Sequence, residues 1–135
     1  MLDLALAQQL RKAGLAWNPL PGDRFVLPDR GMDDEVFVVS NMVVEVHDVP
    51  GGQVIGFNGT TEWALDSLEQ QQVVWIPRET QLRELLAERF VSLESVTGGF
   101  AVTFSPNDGT TAREVDADVE SAYARAVLAV LATQG

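Results

Sequence analysis

Residues 90–115, FVSLESVTGGFAVTFSPNDGTTAREV, and 116–131, DADVESAYARAVLAVL, decide the fold. Phe90 to Val96, Phe100 to Ser105 and Thr110 to Val115 are rich in β-branched and aromatic residues and read as three strands. Between them stand Thr97-Gly98-Gly99 and Pro106-Asn107-Asp108-Gly109, joints short enough to fold neighbouring strands into hairpins. From Val119 the period changes. Val119, Ala122, Tyr123, Ala126, Val127, Val130 and Leu131 recur at helical spacing along one face, with Glu120, Ser121 and Arg125 opposite. Asp116 and Asp118 precede this helix, where carboxylates favour its positive end. So apolar a stripe must be laid on something.

Outward from that stretch, Pro77 opens a helix expected to run to Arg89, with Leu82, Leu85 and Leu86 inward and Glu79 four residues from Arg83. Val73 to Ile76 reads as a buried strand. A short helix is expected over about Thr60 to Gln70, capped by Asn58 or Thr60, with Leu65 and Leu68 on its apolar side. Met42 to Val49 alternates as a strand does, and Pro50-Gly51-Gly52 turns the chain into a returning strand, Gln53 to Phe57. Val36 to Val39 is nearly continuous in apolar residues, as in a strand buried on both faces. Asp29 to Glu35 is a charged loop, and Arg24 to Leu27 a short strand ended by Pro28. Trp17 to Asp23, with Pro19, Pro21 and Gly22, cannot continue a helix. At the start, Leu2, Leu6, Leu10 and Ala13 share a helical face; Gly14 ends it in the left-handed conformation and brings Leu15 against Leu10.

These elements predict an α+β fold, a mostly antiparallel sheet of hairpins and a meander with N-terminal, middle and C-terminal helices packed on it. The 135 residues fit a single domain, 1–135, with a joint near residue 90 as the one place it could divide. A hydrophobic share of 46% suffices for a core.

There is no cysteine, which removes disulfides, thiolate metal sites and thiol nucleophiles. With one histidine, a multi-histidine metal site within one chain is excluded too. The net charge is −11, from 20 acids and 9 bases, and Lys12 is the only lysine. Such a surface repels phosphate backbones and anionic lipid, so neither nucleic acid nor membrane is an expected partner. The charge would favour a basic protein partner, but it also simply keeps a small protein soluble, and taken alone it supports that second reading better. No apolar run reaches the ~20 residues of a membrane helix, and Met1 to Leu10 lacks the basic start of a signal peptide. The expected location is the cytoplasm.

Four groupings carry chemical potential. Asp33, Asp34 and Glu35 with Glu45, His47 and Asp48 could offer oxygens and one imidazole to a divalent cation, Glu45 and His47 being two residues apart on a strand. The alternative is an acidic, solvated strand edge. Arg24 and Arg30, with Asp29 and Arg78, could clamp a carboxylate or phosphate, or pair with the acids that outnumber them. Gly56-Phe57-Asn58-Gly59-Thr60-Thr61 suits an anion at a helix start, but it lacks the lysine of a P-loop and reads equally as a capped helix. Trp17 and Trp63 could face a partner or cover the core's edge, while Trp75 lies in an apolar run and belongs to the core. Arg78-Glu79 and Arg83-Glu84-Leu85-Leu86 superficially suggest a Nudix helix, which fails because Ala64 and Gln70 stand where a glycine and a glutamate are required. No Gly-x-Ser-x-Gly elbow is present.

Gly22-Asp23-Arg24-Phe25-Val26-Leu27-Pro28-Asp29-Arg30, Val44-Glu45-Val46-His47-Asp48, Phe57-Asn58-Gly59-Thr60-Thr61-Glu62-Trp63-Ala64-Leu65-Asp66-Ser67 and Trp75-Ile76-Pro77-Arg78-Glu79 carry a resemblance. Over roughly residues 15 to 90 the chain resembles a group of small uncharacterised bacterial proteins, common in actinobacteria and related lineages, some automatically labelled pilus assembly protein. A pilus-assembly ATPase requires a P-loop, which this chain lacks; the resemblance implies no reaction and assigns no site residue.

The leading expectation is therefore a non-catalytic binding module with an acidic surface, needing no cofactor. A small metal- or carboxylate-dependent hydrolase centred on Glu45 and His47 is the alternative from another class. A homo-oligomeric structural protein, the homodimer included, is the third.

Overall fold

Leu10, Gly14 and Leu15 end the first helix as their spacing predicts. The computed structural model describes residues 1–28, 36–39, 44–49, 52–57, 67–69 and 73–134, the side chains of 44–49, 52–57 and 67–69 excepted. The chain divides into two units: residues 1–16 with 76–135, and residues 17–75. Residue 90 lies inside the first of them.

In the first unit, α1 (Leu4–Lys12) starts at Asp3, whose carboxylate accepts from the Leu6 amide at 2.8 Å. It ends in a Schellman motif. Gly14 has φ +104°, its N–H donates to the Arg11 carbonyl at 3.0 Å, and the Leu15 N–H donates to the Leu10 carbonyl at 3.1 Å. Leu2, Leu6, Ala7 and Leu10 are buried. Ala13, expected on the same face, is exposed, because it is the C-cap and the chain is already turning away.

The helix α2 (Glu79–Leu86) begins two residues later than expected: Arg78 is extended, and its N–H is capped by the Gln81 side chain at 2.9 Å. A 3₁₀ turn follows over Ala87–Arg89. Leu82 and Leu86 are buried, but Leu85, expected inward, is 39% exposed. The three leucines keep the i, i+3, i+4 spacing of one face, with Leu85 at its edge, where it lines a hollow instead of the core.

Strands β7 (Phe90–Val96), β8 (Gly99–Phe104) and β9 (Ala112–Asp116) form an antiparallel sheet in that order. Val96 opposes Gly99 across the Thr97-Gly98 loop, and Phe100 opposes Asp116. A register shift sits between Phe90 and Ser92.

The last helix, α3 (Val119–Gln134), packs on β8 and β9 and on α1 and α2. Ser121, Ala122, Tyr123 and Ala124 are all buried. Four consecutive residues at ~100° steps sample every side of a helix, so its first turns are enclosed all round rather than on one face. Ser121, expected on the outer side, is buried with its hydroxyl donating to Asp118 Oδ2 at 3.0 Å. Asp118 also caps the helix by accepting from the Ser121 amide at 2.9 Å. Glu120, expected outside, is 13% exposed at its side chain. Its carboxylate accepts from the Leu2 amide at 2.8 Å and the Glu79 amide at 3.0 Å, so one residue of α3 ties down the approaches to both other helices. Arg78 cannot act as an acceptor at the start of α2, and Glu120 supplies one.

The second unit contains β1 (Arg24–Val26), β2 (Phe37–Val38), β3 (Val44–Val49), β4 (Gly52–Phe57), β5 (Ser67–Glu69) and the first two residues of β6 (Val74–Ile76). Its sheets run in the orders β2-β1-β6 and β3-β4-β5. The expected β3–β4 hairpin is present, with Val49 opposite Gly52. Ser67–Glu69 pairs antiparallel with β4, Leu68 opposite Ile55, so the helix expected over Thr60 to Gln70 is a strand at this end. Ser67-Leu68-Glu69 alternates polar and apolar, a strand period that the Leu65–Leu68 spacing obscured; Thr60 to Asp66 and Gln70 lie outside the described residues. The strand expected buried on both faces over Val36 to Val39 spans only Phe37–Val38, at a sheet edge, with Val38 59% exposed.

Trp17, Phe25, Leu27, Val39 and Val73 form the core of this unit, with Phe37 and Trp75 against it. Trp17 stacks on Trp75 at 6.3 Å and 9°, and Phe25 on Phe37 at 5.5 Å. Within this apolar cluster lies Asp23, 2% exposed, whose Oδ2 accepts from the Trp17 indole N–H at 2.9 Å and the Leu20 amide at 3.1 Å. A carboxylate so buried persists only because donors surround it.

Candidate functional site

The residues expected to carry chemistry are placed as follows. Trp17 is 7% exposed and serves the core edge through its stack and its bond to Asp23. Arg24 opens β1 and is half-buried. Glu45 and His47 occupy alternate positions of β3, opposite Gly56 and Val54. Arg30, Asp33, Asp34 and Trp63 lie outside the described residues. Among the described residues, no three histidine, aspartate or glutamate side chains are grouped to hold a metal ion.

The structure draws notice instead to the exposed side of α2. Leu85 and Leu86, with Leu15, Val127, Val130 and Leu131, line a hollow of about 290 Å³. Glu88, Arg89 and Gln134 stand at the same hollow. Arg89 is fixed there by donating from Nη1 to the Ser105 carbonyl at 3.2 Å. On the other side of the helix, Thr80, Arg83, Glu84, Ala87 and Phe90 border a shallower hollow of about 500 Å³. Here the Arg83 guanidinium lies 4.0 Å from the centroid of the Phe90 ring, which in turn stacks on Tyr123 at 6.0 Å. Burial pushes the Tyr123 phenol above its ordinary range, and the charge of Arg83 pulls the other way.

Ala87 borders both hollows and has φ +51°, ψ −125°, where a side chain is strained. Between the hollows runs a ridge of exposed Glu84, Leu85, Ala87 and Glu88. It combines apolar surface with two carboxylates, and nothing in it is arranged as nucleophile, base and orienting group. The chemistry it offers is that of contact: an apolar anchor, with charge selecting what approaches.

No family model, no curated protein and no solved structure matches the chain. The ridge therefore has to be judged on its own geometry. Sequence reasoning missed it by turning Leu85 inward; Leu82, Leu85 and Leu86 have the i, i+3, i+4 spacing of a single face, so the sequence held no signal against that reading.

Among the described residues, no helix is long and apolar enough to cross a membrane.

Proposed function

We propose that this chain is a non-catalytic binding module acting in the cytoplasm, and that the acidic ridge of α2 engages a basic protein partner. The observation that carries the reading is the pairing of exposed Leu85, at the mixed hollow it lines with Leu86, with exposed Glu84 and Glu88 beside it, in a chain of net charge −11. An apolar anchor supplies most of the affinity of such a contact, while rim charge raises the association rate and rejects acidic competitors. The absence of cysteine suits a reducing compartment.

The test is a pull-down from native cytoplasm with the full chain as bait, at about 0.05 M and 0.5 M salt, where the screening length differs roughly threefold. A basic partner is expected at low salt and lost at high salt. The triple variant Glu84→Lys, Leu85→Asp, Glu88→Lys, checked for folding by circular dichroism, is expected to lose it at both. No partner at either salt from a well-folded bait rejects the reading.

A further inference from the structure

The sheet of the first unit has two open edges, and they differ. β9 is five residues long, and three of them, Arg113, Glu114 and Asp116, are charged, which guards an edge against pairing. β7 is seven residues long, FVSLESV, and its only charge is Glu94. Val91 is 55% and Leu93 37% exposed. Among the described residues no strand pairs with the outer side of β7.

The direction of its free backbone groups follows from the hairpin. Val96 and Gly99 are paired across a two-residue loop, so they exchange both hydrogen bonds; two-residue alternation gives the same role to Glu94 with Ala101 and Ser92 with Thr103. The N–H and C=O of Leu93 and Ser95 then point away from β8. Leu93 is also the midpoint of Phe90–Val96.

We infer that β7 pairs antiparallel with β7 of a second copy of this chain, about a two-fold axis at Leu93, merging two three-stranded sheets into one. This surface goes beyond the acidic-ridge reading and does not rest on it. In this register Leu93 opposes Leu93 and Ser92 opposes Glu94 in regular pairing, while Val91 against Ser95 and Phe90 against Val96 fall at the strand's register shift. The two outward-facing groups of Leu93 meet their own copies, as a two-fold contact requires. No like charges stand opposite each other. Moving the axis one residue toward Val96 sets Glu94 against Glu94, which is unfavourable across a strand pair. Charge disfavours that neighbouring register, and the outward-facing groups of Leu93 place the axis at Leu93 rather than at Ser92 or Glu94.

The same charge gives the interface a signature. Two copies of net charge −11 repel at long range, so salt strengthens this association, whereas it weakens binding of a basic partner by the ridge. Sedimentation of the full chain at tens of micromolar, at about 0.05 M and 0.5 M NaCl, is expected to show a dimer fraction that rises with salt. Leu93→Glu puts two carboxylates on the axis and is expected to raise the dimer Kd about tenfold or more.

Because the chain has no cysteine, any disulfide in a single-cysteine variant joins two molecules. Facing Cα atoms in a hydrogen-bonded strand pair lie about 5.5 Å apart, within disulfide reach. Leu93→Cys is expected to cross-link under mild oxidation, while Val115→Cys on the other edge strand is not, with thermal melts confirming that both variants fold. Wild type monomeric at both salts, association that weakens with salt, or Leu93→Cys joining no faster than Val115→Cys would each overturn the inference.

Discussion

Residues 1–16 with 76–135 and residues 17–75 are held together in different ways. The first unit accumulates many modest local preferences: an aspartate caps α1, a glutamine caps α2, another aspartate caps α3, and Ser121 to Ala124 of α3 are buried on every side. The second gathers stacked aromatic rings around one buried carboxylate. Loss of any one cap costs the first unit about 1 kcal/mol, while the second concentrates its specificity in Asp23. The contrast can be measured, because all three tryptophans fall within 17–75 and all described helices within the first unit. Tryptophan fluorescence reads one unit, helical circular dichroism the other.

The largest effect expected is at Gly99. A Cβ there would sit 2.2 Å from the Asp116 carbonyl oxygen and 2.7 Å from the Ala117 Cα, backbone atoms that cannot rotate aside. Gly99→Ala is expected to destabilise the first unit by about 3 kcal/mol, seen as a lower denaturant midpoint in the helical signal. Next is Asp23→Ala, which strands the Trp17 indole N–H and the Leu20 amide in an apolar surround. A loss of about 2 kcal/mol is expected in the fluorescence transition. If either substitution moves both signals equally, the contrast drawn here is broken.

The smallest effect is at Asp116. The Asp118 amide and the Arg125 side chain hold its carboxyl below the ordinary 3.8, against a smaller opposing push from burial. A depressed folded value stabilises the first unit above the ordinary pKa, and the benefit is lost as pH falls through the lowered one. Asp116→Asn should therefore lower the helical-signal midpoint near neutrality, the gap closing in acid as pH falls below the ordinary 3.8 and through the lowered value. A gap that widened in acid would show that the Asp118 amide and Arg125 do not favour the charged carboxylate.

Much of the first unit was legible because periodicity is a local signal. The three hairpin strands, the α3 span and the Leu10-Gly14-Leu15 helix end follow from neighbours in sequence. Glu120 was not. A helical wheel assigns it to the outer side, and only the arrival of Leu2 and Glu79, 118 and 41 residues away, gives its carboxylate work. Asp23 escaped for the same reason: a polar residue in a proline-containing loop looks solvated until Trp17 closes over it. Ser67–Glu69 is short enough to satisfy a helical spacing and a strand alternation at once. The ridge depended on where α2 stops being covered, and that is decided by α3 rather than by α2.

The tie from Glu120 to Leu2 has a consequence for how the molecule is made. The apolar stripe of α1 leaves the ribosome early, yet the helix that covers it begins at Val119, beyond the whole of the second unit. At typical elongation rates that wait is about 5–20 s, during which Leu2, Leu6 and Leu10 are available to any chaperone that binds nascent chains. The intervening segment can reach its own structure first, leaving α1 and α3 to meet only after it has been made.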